Sequence, residues 1–174
     1  MDVDNVEVSQ QEHKASAPSR VRCFVLTVSD TRTHATDKSG DAIAELLTAA
    51  GHEIVGRAIV KDEPADVAGV VSGQLASSHV QVIISTGGTG LTSRDSTYEA
   101  IEGLIEKRLD GFGELFRMLS YHDIGPASML SRSVAGTARG KFIAALPGSE
   151  GAVRLAMTKL LVPELGRIAQ QLAK

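Results

Sequence analysis

Short apolar runs alternate with amphipathic segments through the first two thirds of the chain. The runs rich in β-branched residues are predicted strands, at Arg22–Val28, His52–Val60 and Val80–Ser85. The amphipathic segments are predicted helices, at Gly40–Ala50, from a cap at Asp66 to about Ala76, and from Thr97 to about Lys107. Strands that alternate with helices are typical of a mostly parallel sheet. The predicted fold class is therefore three-layer α/β, with helices on both faces of the sheet.

The last third of the chain has a less regular pattern. Gly111–Ile124 is a predicted helix, and two short strands are predicted at Ser133–Ala138 and Lys141–Leu146, a small β excursion around Arg139-Gly140. A final helical stretch is predicted from about Glu150 to Leu172, with Ser149 as its cap and an interruption near Pro163. Residues 21–174 are thus predicted to form a single domain.

The first twenty residues are polar and show no periodicity, so residues 1–20 are predicted to be a disordered tail. They also lack the apolar stretch of a signal peptide, and the chain has no run of 18 apolar residues that could span a membrane. A single cysteine, Cys23, excludes a disulfide within the chain and fits a reducing compartment. We therefore expect a cytoplasmic protein.

Charge and histidine spacing disfavour two classes of function. The net charge is −3, from 18 basic and 21 acidic residues, whereas a protein that binds nucleic acid usually has a basic face. The five histidines are scattered without the spacing of zinc ligands. We expect neither a nucleic-acid partner nor a zinc site.

The segment that carries most chemistry follows the third predicted strand. Thr86-Gly87-Gly88-Thr89-Gly90 offers backbone N–H groups and room for phosphates, and Ser96 with Glu99 has the spacing of a capping box at a helix start. The loop is neither a P-loop nor a dinucleotide fingerprint. A strand, a glycine turn and a helix indicate a phosphate or nucleotide site, and the alternative is a tight turn without a ligand.

Two acids suggest a metal ion beside this loop. Asp95 directly precedes the predicted helix, and Asp62 follows the second strand in the same manner. Carboxylates from neighbouring strand ends, together with substrate phosphates, are the usual ligands of Mg²⁺. The alternative for Asp95 is an acid that stabilises a helix start through the helix dipole.

Other strand ends offer weaker signals. Ser29-Asp30 ends the first strand on the same predicted edge, and Ser131-Arg132-Ser133 pairs a cation with two hydroxyls as a phosphate-binding group would. Pro147-Gly148-Ser149 follows the last predicted strand and could border the same pocket. An ordinary turn and a solvated arginine are the respective alternatives.

Seven motifs in a fixed order, from about Arg22 to the C-terminus, resemble the molybdenum cofactor biosynthesis proteins of the MoaB/MogA type. The motifs are Thr27–Asp30, Val60–Glu63, Ser85–Leu91 with Arg94-Asp95, Gly111–Glu114, Arg117–Ser120, Leu130–Ser133 and Leu146–Ser149. Three segments have sequences closer to those of the MoaB branch, at Gly111–Glu114, Phe116–Ser120 and Pro147–Ser149.

The resemblance implies adenylylation of molybdopterin with Mg²⁺ and ATP, by a trimer or by a hexamer of two trimers. It implies that Asp62 and Asp95 are the functionally important acids, and that Gly87, Gly88, Thr89 and Gly90 line the nucleotide site with Pro147, Gly148 and Ser149 nearby. Ser29, Asp30, Ser131 and Arg132 are assigned to the molybdopterin side. Because both acids are present, we expect an active nucleotidyltransferase.

Two other functions remain open at this point. One is a non-catalytic module that binds molybdopterin or carries it to another enzyme of the pathway, with the glycine loop as a ligand cradle. The other is a related domain with a different reaction, such as metal insertion or hydrolysis of a pyrophosphate bond. The retained acids favour the enzyme.

Overall fold

A computed structural model describes residues 17, 18 and 20–174, and its first half alternates strands and helices in the predicted order. The elements are β1 (Arg22–Val28), α1 (Lys38–Ala49), β2 (Glu53–Val60), α2 (Pro64–Ala76), β3 (Val82–Thr86) and α3 (Thr97–Glu102). The predicted disordered tail lies almost wholly outside the described residues. Of its described part, Pro18 places its carbonyl oxygen 2.7 Å from the point where a Cβ would stand on Gly166.

The second half adds an antiparallel extension and the C-terminal helices. The elements are β4 (Lys107–Arg108), α4 (Asp110–Ile124), a 3₁₀ segment (Gly125–Leu130), β5 (Val134–Ala138), β6 (Lys141–Leu146), α5 (Glu150–Ala156), a π-helical segment (Met157–Leu161) and α6 (Val162–Leu172). The predicted interruption of the last helix is confirmed, because the π-helical segment ends directly before the turn that contains Pro163.

The six strands form one sheet in the order β2-β1-β3-β6-β5-β4. Neighbours among β2, β1, β3 and β6 are parallel, whereas β5 and β4 join antiparallel. Alternate residues of β1 point to opposite faces: Cys23 and Val25 pack under α1, α4 and the C-terminal helices, and Phe24 and Leu26 pack under α2 and α3. The predicted three-layer, mostly parallel α/β fold with a small β excursion is confirmed.

Two predicted helix boundaries were wrong. Asp66 is not the cap of α2, because Pro64 with its fixed φ already lies in the first turn and leaves Asp66 inside the helix. The helix from Thr97 ends at Glu102 rather than near Lys107. Lys107 and Arg108 instead pair with β5, so strand pairing overrides the helical pattern there.

Candidate functional site

The site lies where four parallel strands end. Because β1, β2, β3 and β6 run in one direction, the loops that follow them meet at a single edge of the sheet. Backbone hydrogen bonds join these loops directly, from the amide of Ser29 to the carbonyl of Val60 at 2.9 Å and from Gly87 to Leu146 at 3.1 Å. Arg132 reaches the same edge, because β5 begins opposite the end of β6.

The glycine loop requires glycine at two positions. Gly87 has a φ of +95° and Gly88 a φ of +68°, both in the left-handed region that side chains rarely adopt. A Cβ on Gly87 would lie 2.2 Å from the carbonyl oxygen of Val28, and one on Gly88 would lie 2.5 Å from Oδ2 of Asp62. The loop backbone therefore touches the end of β1 and the loop after β2, an approach that any side chain would block.

Asp62 joins the loop after β2 to the loop after β3. Its side chain is buried, and its Oδ1 accepts hydrogen bonds from the amide of Ser96 at 3.1 Å, the hydroxyl of Ser96 at 2.8 Å and the hydroxyl of Thr97 at 3.4 Å. The predicted capping box is therefore wrong, because the Ser96 hydroxyl is committed to Asp62 and makes no cap hydrogen bond. Oδ2 of Asp62 faces Gly88.

Asp95 folds back onto the glycine loop. Its Oδ2 accepts hydrogen bonds from the amide of Thr92 at 2.9 Å and from the hydroxyl of Thr92 at 2.6 Å. The hydroxyl bond is the largest cause of a lowered pKa at Asp95, and the amide of Gly90 adds to it. Asp95 is thus held ionised within the loop that it follows.

Asp62 and Asp95 are the acids that could hold a cation together with substrate phosphates. Oδ2 of Asp62 and Oδ1 of Asp95 accept none of the hydrogen bonds from Ser96, Thr97 or Thr92. Within the described residues, no cluster of three or more His, Cys, Asp or Glu side chains could bind a metal by itself. Mg²⁺ usually takes one or two carboxylates plus phosphate oxygens, so Asp62 and Asp95 are candidate ligands.

Arg94, in the loop after β3, forms ion pairs with acids in the loops after β1 and β2. Its guanidinium donates to both carboxylate oxygens of Asp30, at 3.1 and 3.0 Å, and to Glu63 at 2.7 Å. The pKa of Asp30 is lowered, first by the hydrogen bond from Arg94 and then by the backbone amide of Asp62. Asp30 therefore connects Arg94 to Asp62, while the neighbouring Ser29 hydroxyl accepts from the amides of Thr31 and Arg32.

The turn at Pro147-Gly148-Ser149 borders the glycine loop. A Cβ on Gly148 would lie 3.4 Å from Cα of Gly87, and the hydroxyl of Thr86 donates to the carbonyl of Pro147 at 2.8 Å. Ser149 caps α5 by accepting from the amide of Ala152, which confirms its predicted role as a cap. Hydrogen bonds therefore hold this turn to Thr86 at one end and to the start of α5 at the other.

Asp37 was not predicted from the sequence. This acid is buried at the start of α1, where it accepts hydrogen bonds from the hydroxyl of Thr27 at 2.7 Å and the amide of Gly40 at 3.0 Å. Arg57 reaches it at 3.5 Å. Its place directly before an amphipathic helix was the signal that could have identified it as a cap.

Ser131 and Arg132 stand between the 3₁₀ segment and β5. The guanidinium of Arg132 donates to the carbonyls of Thr89 and Gly90 and forms an ion pair with Glu99. All the predicted site residues thus lie at one edge of the sheet.

A strand-end site of this kind in a doubly wound sheet defines a ligand-binding α/β domain, and comparisons with known proteins specify its class. A family model described as "probable molybdopterin binding domain" matches residues 24–167. The molybdenum cofactor biosynthesis protein B of Bacillus cereus is 50% identical over 166 residues, covering 95% of this chain and 98% of that protein.

Solved structures agree. A molybdenum cofactor biosynthesis protein B matches with a TM-score of 0.88 at 50% identity, over 91% of this chain and 99% of that chain. The tungsten cofactor synthesizing protein MoaB of Pyrococcus furiosus matches with a TM-score of 0.81 at 36% identity, over 91% and 100%. The chain belongs to the MoaB/MogA family, on its molybdenum cofactor biosynthesis protein B side, and acts in molybdenum cofactor biosynthesis.

Proposed function

We propose that the chain adenylylates molybdopterin with Mg²⁺ and ATP. An oxygen of the terminal phosphate of molybdopterin attacks the α-phosphorus of ATP, and the bond from that phosphorus to the pyrophosphate leaving group breaks. The observation that carries the proposal is the pair of ionisable acids, Asp62 and Asp95, on either side of a glycine loop at one sheet edge. Group transfer of this kind needs mainly positioning and charge neutralisation.

The chain contributes the nucleotide site through its backbone. Gly87, Gly88, Thr89 and Gly90 follow the end of β3 beside the other parallel strand ends, and Pro147-Gly148-Ser149 forms the adjoining wall. Close contact between Gly148 and Gly87 keeps both loops at a fixed separation. In this proposal, phosphates lie against the glycine loop, in which Gly87, Gly88 and Gly90 carry no side chain.

Asp62 and Asp95 would hold the cation through carboxylate oxygens, together with oxygens of the substrate phosphates. Bound there, Mg²⁺ would neutralise the charge of the phosphates. Because hydrogen bonds from Ser96 and Thr92 fix the two carboxylates, neither acid needs to reorient when substrate binds. Ser29, Asp30 and Ser131 are assigned to the molybdopterin side of the same edge.

A direct assay tests this function. The protein is incubated with molybdopterin, Mg²⁺ and ATP, and the expected products are adenylylated molybdopterin and pyrophosphate in equal amounts. The same mixture without Mg²⁺ is the control and should yield neither product. Absence of both products in the complete mixture would reject the adenylyltransferase.

Asp95→Asn tests the role of the acid within this reaction. The variant keeps an oxygen that can accept from Thr92 but loses the charge, so we expect turnover to fall at least about a hundredfold, by analogy with the loss of one preorganised electrostatic group. Its elution volume on size exclusion should match that of the unchanged protein. Unchanged turnover would remove Asp95 from the mechanism.

A second candidate function is a non-catalytic module that binds or carries molybdopterin. The observation that favours it is that Asp62 and Asp95 both serve as hydrogen-bond acceptors within the fold itself. Calorimetry separates the two candidates. A carrier would bind molybdopterin without binding ATP, whereas the enzyme would bind both.

We also propose that the chain self-associates, as a trimer or hexamer, through α4 and the 3₁₀ segment. Large apolar side chains stand exposed there, at Leu115, Met118, Tyr121, Ile124, Met129 and Leu130. Such a concentration of apolar surface is unusual for a monomer and typical of an interface. Among the described residues, no helix could span a membrane.

A further inference from the structure

Arg132 makes its contacts with the backbone of the glycine loop. Its Nε donates to the carbonyls of both Thr89 and Gly90 at 3.1 Å, and its Nη2 donates to Gly90 at 2.8 Å. A guanidinium has five N–H groups, and Nε and Nη2 supply three of them. Most of the donor capacity of Arg132 is therefore already spent on the loop and on its acidic partner.

Two side chains hold the guanidinium in place. Glu99 pairs with it through both oxygens, from Nη1 to Oε1 and from Nη2 to Oε2 at 3.3 Å, and the pKa of Glu99 is lowered chiefly by this hydrogen bonding. The guanidinium carbon lies 4.9 Å from the ring centre of Tyr98, a cation–π distance. Tyr98 and Glu99 both belong to α3. This helix therefore holds Arg132 in place, and Arg132 in turn holds the glycine loop.

Holding these carbonyls also orients the amides of the loop. The carbonyl of Thr89 and the amide of Gly90 share one planar peptide group and point in opposite directions. That carbonyl accepts from Arg132, and the amide of Gly90 faces the carboxylate of Asp95. The peptide group between Thr89 and Gly90 is thus held between the guanidinium of Arg132 and the carboxylate of Asp95, the acid assigned to catalysis.

We propose that Arg132 is a positioning residue that preorganises the glycine loop and Asp95 for the nucleotide, rather than a group that binds the molybdopterin phosphate. This inference rests on the proposed adenylylation. We therefore expect Arg132 to affect the binding of ATP, whereas the family resemblance assigned it to the molybdopterin side.

Arg132→Lys separates the two roles by kinetics. Lysine keeps the charge but lacks the planar fork, so the carbonyls of Thr89 and Gly90 lose their shared donor. We expect the KM for ATP to rise about tenfold or more, as for the loss of a charged hydrogen bond, with the KM for molybdopterin unchanged. A rise in the KM for molybdopterin with an unchanged KM for ATP would overturn the proposal.

Glu99→Gln tests the same contact from the other partner. If Arg132 positions the loop, weakening its ion pair raises the KM for ATP in the same direction as Arg132→Lys. If Arg132 binds the substrate phosphate, its release from Glu99 lowers the KM for molybdopterin instead, which contradicts positioning. Arg22→Lys is the matched control, because Arg22 also donates to a loop carbonyl, that of His79, at the opposite edge of the sheet.

Hydrogen exchange of the ligand-free protein provides a readout that does not depend on activity. In Arg132→Lys, the amides of residues 87–91 should exchange faster than in the unchanged protein, while those of β1 should not change. Equal exchange at residues 87–91 would overturn the positioning role, whatever the assay shows. Absence of product from the unchanged protein would reject adenylylation but would leave the exchange result to decide the role of Arg132.

Discussion

The amide and the hydroxyl of Ser96 both donate to a single oxygen, Oδ1, of Asp62, at 3.1 and 2.8 Å. These two hydrogen bonds join the loop after β2 to the start of α3. Asp62 is buried and holds Ser96 through Oδ1, while its second oxygen, Oδ2, faces Gly88. One side chain thus supports the loop and contributes to the proposed cation site.

Replacing Asp62 with Asn should destabilise the fold as well as slow the reaction. The charge-assisted hydrogen bonds from Ser96 weaken in the variant, so we expect the free energy of unfolding to fall by about 1–3 kcal/mol in urea denaturation. Asp66→Asn is the control, because Asp66 is exposed in the first turn of α2. Its change should stay within about 0.5 kcal/mol. Equal changes in the two variants would contradict a supporting role for Asp62.

Gly88→Ala should disrupt the glycine loop. The new Cβ would lie 2.1 Å from the hydroxyl oxygen of Thr97 at a φ of +68°, so we expect a loss of about 1–3 kcal/mol in unfolding free energy and weaker ATP binding. Gly69→Ala is the matched control, because Gly69 lies within α2 with nothing within 4 Å of its Cβ position. That change should stabilise the protein by about 0.5–1 kcal/mol.

The ion pair of Arg94 with Asp30 predicts a dependence of stability on pH. The pKa of Asp30 in the fold is below its ordinary 3.8, so its contribution is complete above the unfolded pKa and is lost as pH falls through the lower folded value. Arg94→Gln removes this contribution together with the ion pair between Arg94 and Glu63. The stability difference between the unchanged protein and the variant should therefore be largest near neutral pH and shrink below about pH 4.

Urea denaturation between neutral pH and about pH 3 measures that difference. The pKa values of Asp95 and Glu99 are also lowered, but by Thr92 and Arg132, so their contributions are common to both proteins and cancel. A difference that is constant over the whole range would show that the ion pair does not set the pKa of Asp30.

Self-association should depend on the exposed apolar surface of α4. Tyr121→Glu places a charge among Met118 and Ile124, so we expect dissociation to a smaller species in sedimentation velocity. Asp123→Ser, at an exposed polar position of the same helix, should leave the assembly unchanged. A monomeric unchanged protein would refute self-association, and an unaffected Tyr121→Glu assembly would refute this surface as the interface.

The alternation of strands and helices could be predicted because burial on both faces gives each central strand a continuous apolar run. The edge of the sheet that carries the site was also predictable, since the parallel order sends the loops after β1, β2, β3 and β6 to one side. The error at Asp66 was local, since Pro64 starts the helix earlier, but two other errors fell where long-range contacts compete with local ones. Ser96 matches a capping box in sequence, but its hydroxyl binds Asp62, a partner 34 residues away.

The sequence by itself determined the layers, the order of strands and helices along the first half of the chain and the chemistry available at the strand ends, because periodicity and turn residues act locally. Only the tertiary structure decided which polar groups meet. Arg132 is 42 residues from the carbonyl of Gly90 that it holds, and Asp30 is 64 residues from Arg94. Hydrogen bonds depend on distance and direction in space, so their partners become fixed only when the sheet brings its loops together.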